Sequence, residues 1–189
     1  MQRRSYLAAG LGVAAGSAGC LTSALGGSSD ETVLDPQEDD QYGGGNLPYP
    51  TYGETLPAFT VPDPLAGEPV ASDDVDGTVV VTAFFASCPA ECVNLIGQLA
   101  GVQNGTIDRG IDDRVTFLAI TFDPSRDDAQ ALREYGERMQ IDLSAGNWRF
   151  LRPESADRAE AVVDEKLGVT FELIDAAETD LIAGYDFRH

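Results

Sequence analysis

Val79-Val80-Val81-Thr82-Ala83-Phe84-Phe85 is a continuous block dominated by β-branched and aromatic residues, and it stops at Ala86-Ser87-Cys88-Pro89-Ala90-Glu91-Cys92. β-Branched and aromatic residues in such a continuous block predict a central strand covered on both faces. The pattern then changes to helical spacing through Val93, Leu95-Ile96 and Leu99 to about Val102, with Asn104-Gly105 as the stop and Pro89 suited to the first turn. Arg114 to Phe122 predicts a second buried strand, ending at Asp123-Pro124. Asp127 is the expected cap of a helix reaching about Met139, with Leu132 and Tyr135 facing inward. Asn147 to Leu151 predicts a third strand, and Asp157 opens a helix through Val162-Val163 to Leu167, closed by Gly168. Val169–Leu173 and Leu181–Phe187 are further strands. Upstream, Ala58–Val61 and Glu68–Val70 predict a hairpin, with Asp63-Pro64 and Gly67 at its turn.

Strands alternating with helices predict an α/β domain with a mixed, mainly parallel sheet and helices on both faces. In such sheets ligands bind beyond the carboxyl ends of the strands, where both Cys88 and Asp123 fall.

The first half-hundred residues carry no such pattern. Residues 1–20 read as an export signal: Arg3-Arg4, an apolar Gly/Ala-rich run from Leu7 to Ala18, and a Ser17-Ala18-Gly19-Cys20 ending. The run is short for a permanent membrane span. The paired arginines resemble a twin-arginine signal. The ending resembles a lipoprotein cleavage box, with Ser17 where the box usually has a branched apolar residue, so Cys20 is the expected lipidation site. Residues 21–53, with Gly26-Gly27-Ser28-Ser29, Glu38-Asp39-Asp40 and Gly43-Gly44-Gly45, read as a flexible acidic linker. The expected location is the outer face of the cytoplasmic membrane, lipid-anchored.

Charge narrows the partners. Against 32 acidic residues stand 12 basic ones, a formal net charge of -20. An acid-rich surface with Lys166 as its one lysine suits a solvent of very high salt, where self-repulsion is screened over a few ångströms. Nucleic-acid binding is disfavoured outright, because phosphate contacts need Lys and Arg.

The chemistry rests on Cys88 and Cys92. At the start of a helix their spacing puts both sulfurs on one face, near unpaired N–H groups and the positive end of the dipole. Such a pair can close a disulfide or chelate one soft metal ion. A purely structural bridge across so small a loop would add little stability.

Ser87-Cys88-Pro89-Ala90-Glu91-Cys92 after an aromatic-rich strand, followed by Thr121-Phe122-Asp123-Pro124-Ser125-Arg126-Asp127, resembles the SCO/SenC family, as does the approach Leu56–Thr60. The resemblance spans roughly residues 54–189. It implies a thioredoxin-like fold and a membrane-tethered copper metallochaperone serving the copper A centre of cytochrome c oxidase, with that enzyme's copper-bearing subunit as partner. The implied ligands for Cu(I), and for Cu(II), are Cys88, Cys92 and one late histidine. His189, the only histidine, follows Leu181–Arg188, which looks like the family's approach to that residue, although Arg188 stands where many members have an acidic one. Thioredoxin-like folds continue past this loop with a strand hairpin and a closing helix. Their absence predicts an incomplete domain with an open strand edge at the central strand or the Val115–Phe122 strand. The alternative function is a thiol–disulfide oxidoreductase, Cys88 and Cys92 being its redox dithiol. A peroxidase is disfavoured, since peroxiredoxin-like sites have Pro and Thr where this chain has Val81 and Phe85, and a thioredoxin-type Trp-Cys-x-x-Cys is absent. Asp123 has no assigned ligand role, and Trp148 is expected in the core.

Overall fold

The computed structural model describes residues 49–50, 53–174 and 184–187, all within one compact unit, Gln41–His189. The expected export signal over residues 1–20 with Cys20, and most of the expected linker over 21–53, lie outside the described residues, as does His189.

The domain opens on an antiparallel hairpin of β1 (Thr60–Asp63) and β2 (Glu68–Ala71). Asp63 organises its turn: Oδ1 accepts the N–H groups of Leu65 and Ala66 at 2.8 and 3.0 Å. Oδ2 of Asp63 meets Arg149 at 3.4 Å and ties the hairpin to the main sheet.

That sheet is parallel and three-stranded: β3 (Thr78–Phe84), β4 (Val115–Thr121) and β5 (Trp148–Leu151), in the order β3-β4-β5. Helix α1 (Glu91–Arg109) connects β3 to β4, and α2 (Ala129–Arg138) connects β4 to β5. A short α3 (Ala156–Ala159), widening into a π-helical stretch over Glu160–Asp164, leads to a second antiparallel pair, β6 (Phe171–Ile174) and β7 (Gly184–Phe187).

Among the described residues the middle strand is β4, not the expected Val79–Phe85 strand. Phe117 to Phe122 are each at most 1% exposed, alternating between two covered faces. In β3 only Phe84 is fully buried, and Val79, Val80 and Val81 are half-buried. The reason is pairing: among the described residues β3 hydrogen-bonds β4 alone.

On one face, Phe84 stacks on Tyr135 of α2 (5.2 Å between ring centres), and Phe117 stacks on Trp148 (5.1 Å). Gly136 of α2 lies against Phe150, where a Cβ would come within 3.1 Å of the ring. Each fully buried aromatic contributes on the order of 2–3 kcal/mol. Trp148 is core, as expected. On the other face, Phe122 lies between Phe85 (5.3 Å) and Phe171 of β6 (4.6 Å).

Helix α1 buries Cys92, Ile96, Ala100, Gln103 and Thr106, a stripe spaced by three and four. It runs through Asn104-Gly105, expected to end it, and stops at Gly110, which takes the left-handed conformation at φ 63. Gln103 explains the extension. Fully buried, it donates to Asp142 O and Asn147 Oδ1 (both 2.9 Å) and accepts the Asp142 N–H (3.1 Å), so α1 stays anchored beyond the two weak helix formers. Asp127 is not the cap of α2: Asp128 is, its Oδ1 accepting from Gln130 and Ala131. Ser155, not Asp157, caps α3. Among the described residues no helix is long and apolar enough to cross a membrane.

Candidate metal centre

The two central cysteines sit where β3 hands over to α1. Phe84 O accepts the Phe122 N–H at 3.1 Å, so β3 and β4 end together. Phe85–Cys88 then forms a tight turn closed by the Cys88 N–H on Phe85 O (3.2 Å). Pro89 and Ala90 follow, and α1 begins at Glu91, so the proline precedes the first turn it was expected to occupy.

No conventional side chain caps α1. The Cys88 sulfur takes that place by accepting the Cys92 N–H at 3.3 Å. An orphan donor at a helix start is thereby directed at sulfur, where it favours negative charge. The Glu91 carboxylate lies 4.0 Å from the same sulfur. Cys88 and Cys92 are unbridged and buried, at 5% and 3% exposure. Burial pushes the Cys92 thiol up to about 12; a backbone hydrogen bond with Phe85 opposes the shift, and the adjoining Cys88 sulfur reinforces it. Cys92 is therefore a protonated thiol at neutral pH, which a metal ion must deprotonate on binding.

Three side chains that the sequence reading had not given a place here converge on this turn from α2 and the residues before it. Asp127, 1% exposed, accepts the Ala86 N–H at 3.0 Å and the Thr121 hydroxyl at 2.5 Å, both on Oδ2. Burial raises its carboxyl above the usual range. Arg138 donates to Ala86 O at 3.1 Å and lies over the Tyr135 ring. The Tyr135 hydroxyl donates to Cys92 O at 3.4 Å. Residues separated by 41 to 52 positions meet here, and no local pattern announces such contacts; the adjacent Asp127-Asp128 pair, of which one suffices as a cap, was the single available signal.

Asp123 stands at the end of β4, as expected, but its carboxylate is taken by Arg126 and by the Ser125 hydroxyl (2.7 Å). Among the described residues no three His, Cys, Asp or Glu side chains form a metal-holding group. Cys88 and Cys92 supply two soft donors side by side, and the expected third, His189, lies outside the described residues.

A model of the SCO1/SenC family matches residues 54–147, the stretch holding both cysteines and the Thr121–Asp127 segment. The chain belongs to the SCO1/SenC family. Solved structures with the same fold include ScoI of Bradyrhizobium japonicum with copper bound (18% identity, TM-score 0.57, 71% of this chain and 79% of that one). A SCO1/SenC family lipoprotein of Bacillus anthracis matches at 18% identity and TM-score 0.56, over 69% of this chain and 73% of that one. Yeast Sco1 with copper bound matches at 20% identity and TM-score 0.55, over 70% and 68%. These likenesses make the fold thioredoxin-like. No curated protein matches the chain significantly.

Proposed function

We propose that this SCO1/SenC chain is a membrane-tethered copper carrier that takes up copper as cargo through Cys88, Cys92 and His189 and passes it to the copper-bearing subunit of cytochrome c oxidase. The observation that carries the proposal is the unbridged, buried sulfur pair at the start of α1, with the Cys92 N–H directed at Cys88. Two thiolates are soft donors suited to Cu(I), and an imidazole completes a three-donor set that also accepts Cu(II). Bradyrhizobium japonicum ScoI and yeast Sco1, which share the fold, have been solved with copper.

The aromatic packing supports His189 as the third donor. Phe85, the first residue of the cysteine turn, packs against Phe122 with the rings tilted, and Phe122 stacks on Phe171 of β6. Phe171 pairs in register with Phe187 of β7, two residues before His189. The strand leading to the histidine is thus tied to the aromatic residues beside the turn.

Burial of both sulfurs favours this function over the oxidoreductase. A mixed disulfide needs a partner's sulfur to reach an exposed thiolate, whereas a single ion needs only the two donors. Tethering through a lipidated Cys20 completes the proposal and agrees with the Bacillus anthracis neighbour being a lipoprotein.

Titration of the reduced protein with Cu(I) tests the cargo. Wild type is expected to bind one ion, Cys88→Ser to lose it, and His189→Ala to hold it at least tenfold more weakly. Wild-type protein that stays metal-free with its thiols reduced would end the copper proposal, and an unaltered His189→Ala would remove the histidine from the site. Mass spectrometry of the membrane fraction checks for acyl chains on Cys20; an unacylated mature N-terminus refutes the anchor.

A further inference from the structure

The turn that carries Cys88 is held from outside at both backbone groups of Ala86. In Phe85–Cys88 the closing bond uses Phe85 O and Cys88 N, which leaves the Ala86 N–H and C=O directed outward. Asp127 takes the first at 3.0 Å and Arg138 supplies the second at 3.1 Å. Asp127 precedes α2 and Arg138 is its last residue, so one helical segment grips one residue, Ala86, through the peptide groups on either side of it. The Thr121 hydroxyl fixes the Asp127 oxygen in turn, from the last residue of β4. Neither side chain touches a sulfur. A carboxylate 1% exposed is costly to bury unless it is hydrogen-bonded, and its hydrogen bonds are to the turn and the strand end.

We propose that Asp127 and Arg138 are positioning residues of the dithiol: by holding the Ala86 peptide they fix the Phe85–Cys88 turn and keep the Cys88 sulfur on the Cys92 N–H, the arrangement that receives a metal ion. The proposal rests on Cys88 and Cys92 being the metal-holding pair. Its consequence is a bias against disulfide formation. An S–S bond requires the sulfurs to close to about 2.05 Å, and with the turn held, Cys88 must leave the Cys92 N–H to do so. Oxidation of the pair gives two electrons and two protons to an oxidised dithiol such as dithiothreitol disulfide, which becomes the reduced dithiol. Releasing the turn favours that exchange.

The test is the equilibrium of the full chain with dithiothreitol redox buffers, together with the rate of iodoacetamide alkylation at fixed pH, for wild type, Asp127→Ala, Asp127→Asn and Arg138→Met. Asp127→Ala is expected to move the equilibrium about tenfold toward the disulfide, about 30 mV for a two-electron couple, and to speed alkylation about tenfold. Asp127→Asn keeps an oxygen for the Ala86 N–H and is expected to stay within threefold of wild type. Arg138→Met, at an exposed position, is expected to shift both readouts about threefold in a folded protein. Values within experimental error of wild type for Arg138→Met overturn the double grip, and equal shifts in Asp127→Ala and Asp127→Asn overturn the peptide-holding role of Asp127. Failure of wild type to take up Cu(I) defeats the copper proposal while leaving the redox comparison intact, so the two failures are distinguishable.

Discussion

Burying the Cys92 thiol makes the stability of the reduced protein depend on alkaline pH in a way that one substitution removes. In the folded chain the thiol is pushed from 9.0 up to about 12, chiefly because burial removes water from its ionised form. In the unfolded chain it ionises near 9. A group whose folded value lies above its unfolded value contributes stability that is fully present below the unfolded value and is lost as pH rises through the folded one. Each unit of separation corresponds to about 1.4 kcal/mol, so roughly 2 kcal/mol is lost by pH 10.5 and about 4 kcal/mol once both states are ionised. Cys92→Ala has no such group. It starts less stable, because a buried sulfur is gone, but its deficit against wild type is expected to shrink by about 2 kcal/mol between pH 8 and pH 10.5. Urea unfolding under reducing conditions, followed by the fluorescence of Trp148, measures both proteins. Burial, the chief cause of the rise at Tyr135, persists in the variant, and only the smaller contribution of the Cys92 sulfur to that rise is lost with it. Parallel loss of stability across that range would refute the assignment of Cys92 as a desolvated, protonated thiol.

Gly77→Ala is expected to destabilise the domain by about 3 kcal/mol, since a Cβ there would sit 2.6 Å from Arg114 O and the residue has φ +82; thermal unfolding checks it, and an unchanged midpoint refutes it. Gln103→Leu removes one buried hydrogen bond to Asn147 and two partly buried ones to Asp142 and is expected to cost about 2 kcal/mol; urea unfolding decides, and a neutral result removes the latch. Asp127→Asn tests the acid side: burial raises the Asp127 carboxyl above 3.8, so wild type should lose stability relative to the variant as pH climbs from about 3 through the folded value, and a difference that stays flat with pH refutes the burial effect.

The elements legible in the sequence were those whose burial follows chain periodicity. The Val115–Phe122 block, the Leu132/Tyr135 face of α2 and the Asp63–Gly67 turn appear where the pattern puts them. Errors arose where long-range contacts override local propensity. Asn104-Gly105 reads as a stop, yet Gln103 reaches across 39 residues to Asp142 and carries the helix on to Arg109. Val79–Phe85 reads as a central strand because its composition is that of one, yet pairing, which composition does not encode, makes it an edge among the described residues. Within the site, the two cysteines were legible because their spacing and position are local. Asp127 was placed at a helix cap because Asp at a helix start usually serves there; its true partners, Thr121 and the Ala86 peptide, are brought to it by the ends of two parallel strands.

Selectivity for a soft ion follows from setting this site against the rest of the surface. A chain with 32 carboxylates and a net charge of -20 attracts cations of every kind. Those carboxylates are hard oxygen donors, suited to magnesium, calcium and protons, and hold soft ions poorly. At the mouth of β3 the terms reverse: two buried sulfurs, one of them a thiol whose ionisation burial pushes up to about 12. A hard cation gains too little from sulfur to displace that proton, while Cu(I) forms a bond strong enough to do so. Under the proposed copper-carrier function the acidic surface would confer no preference for the cargo. The preference would come from the buried thiol pair, and a substitution that exposes Cys92 should bring its ionisation down toward 9.0 and weaken discrimination against harder ions.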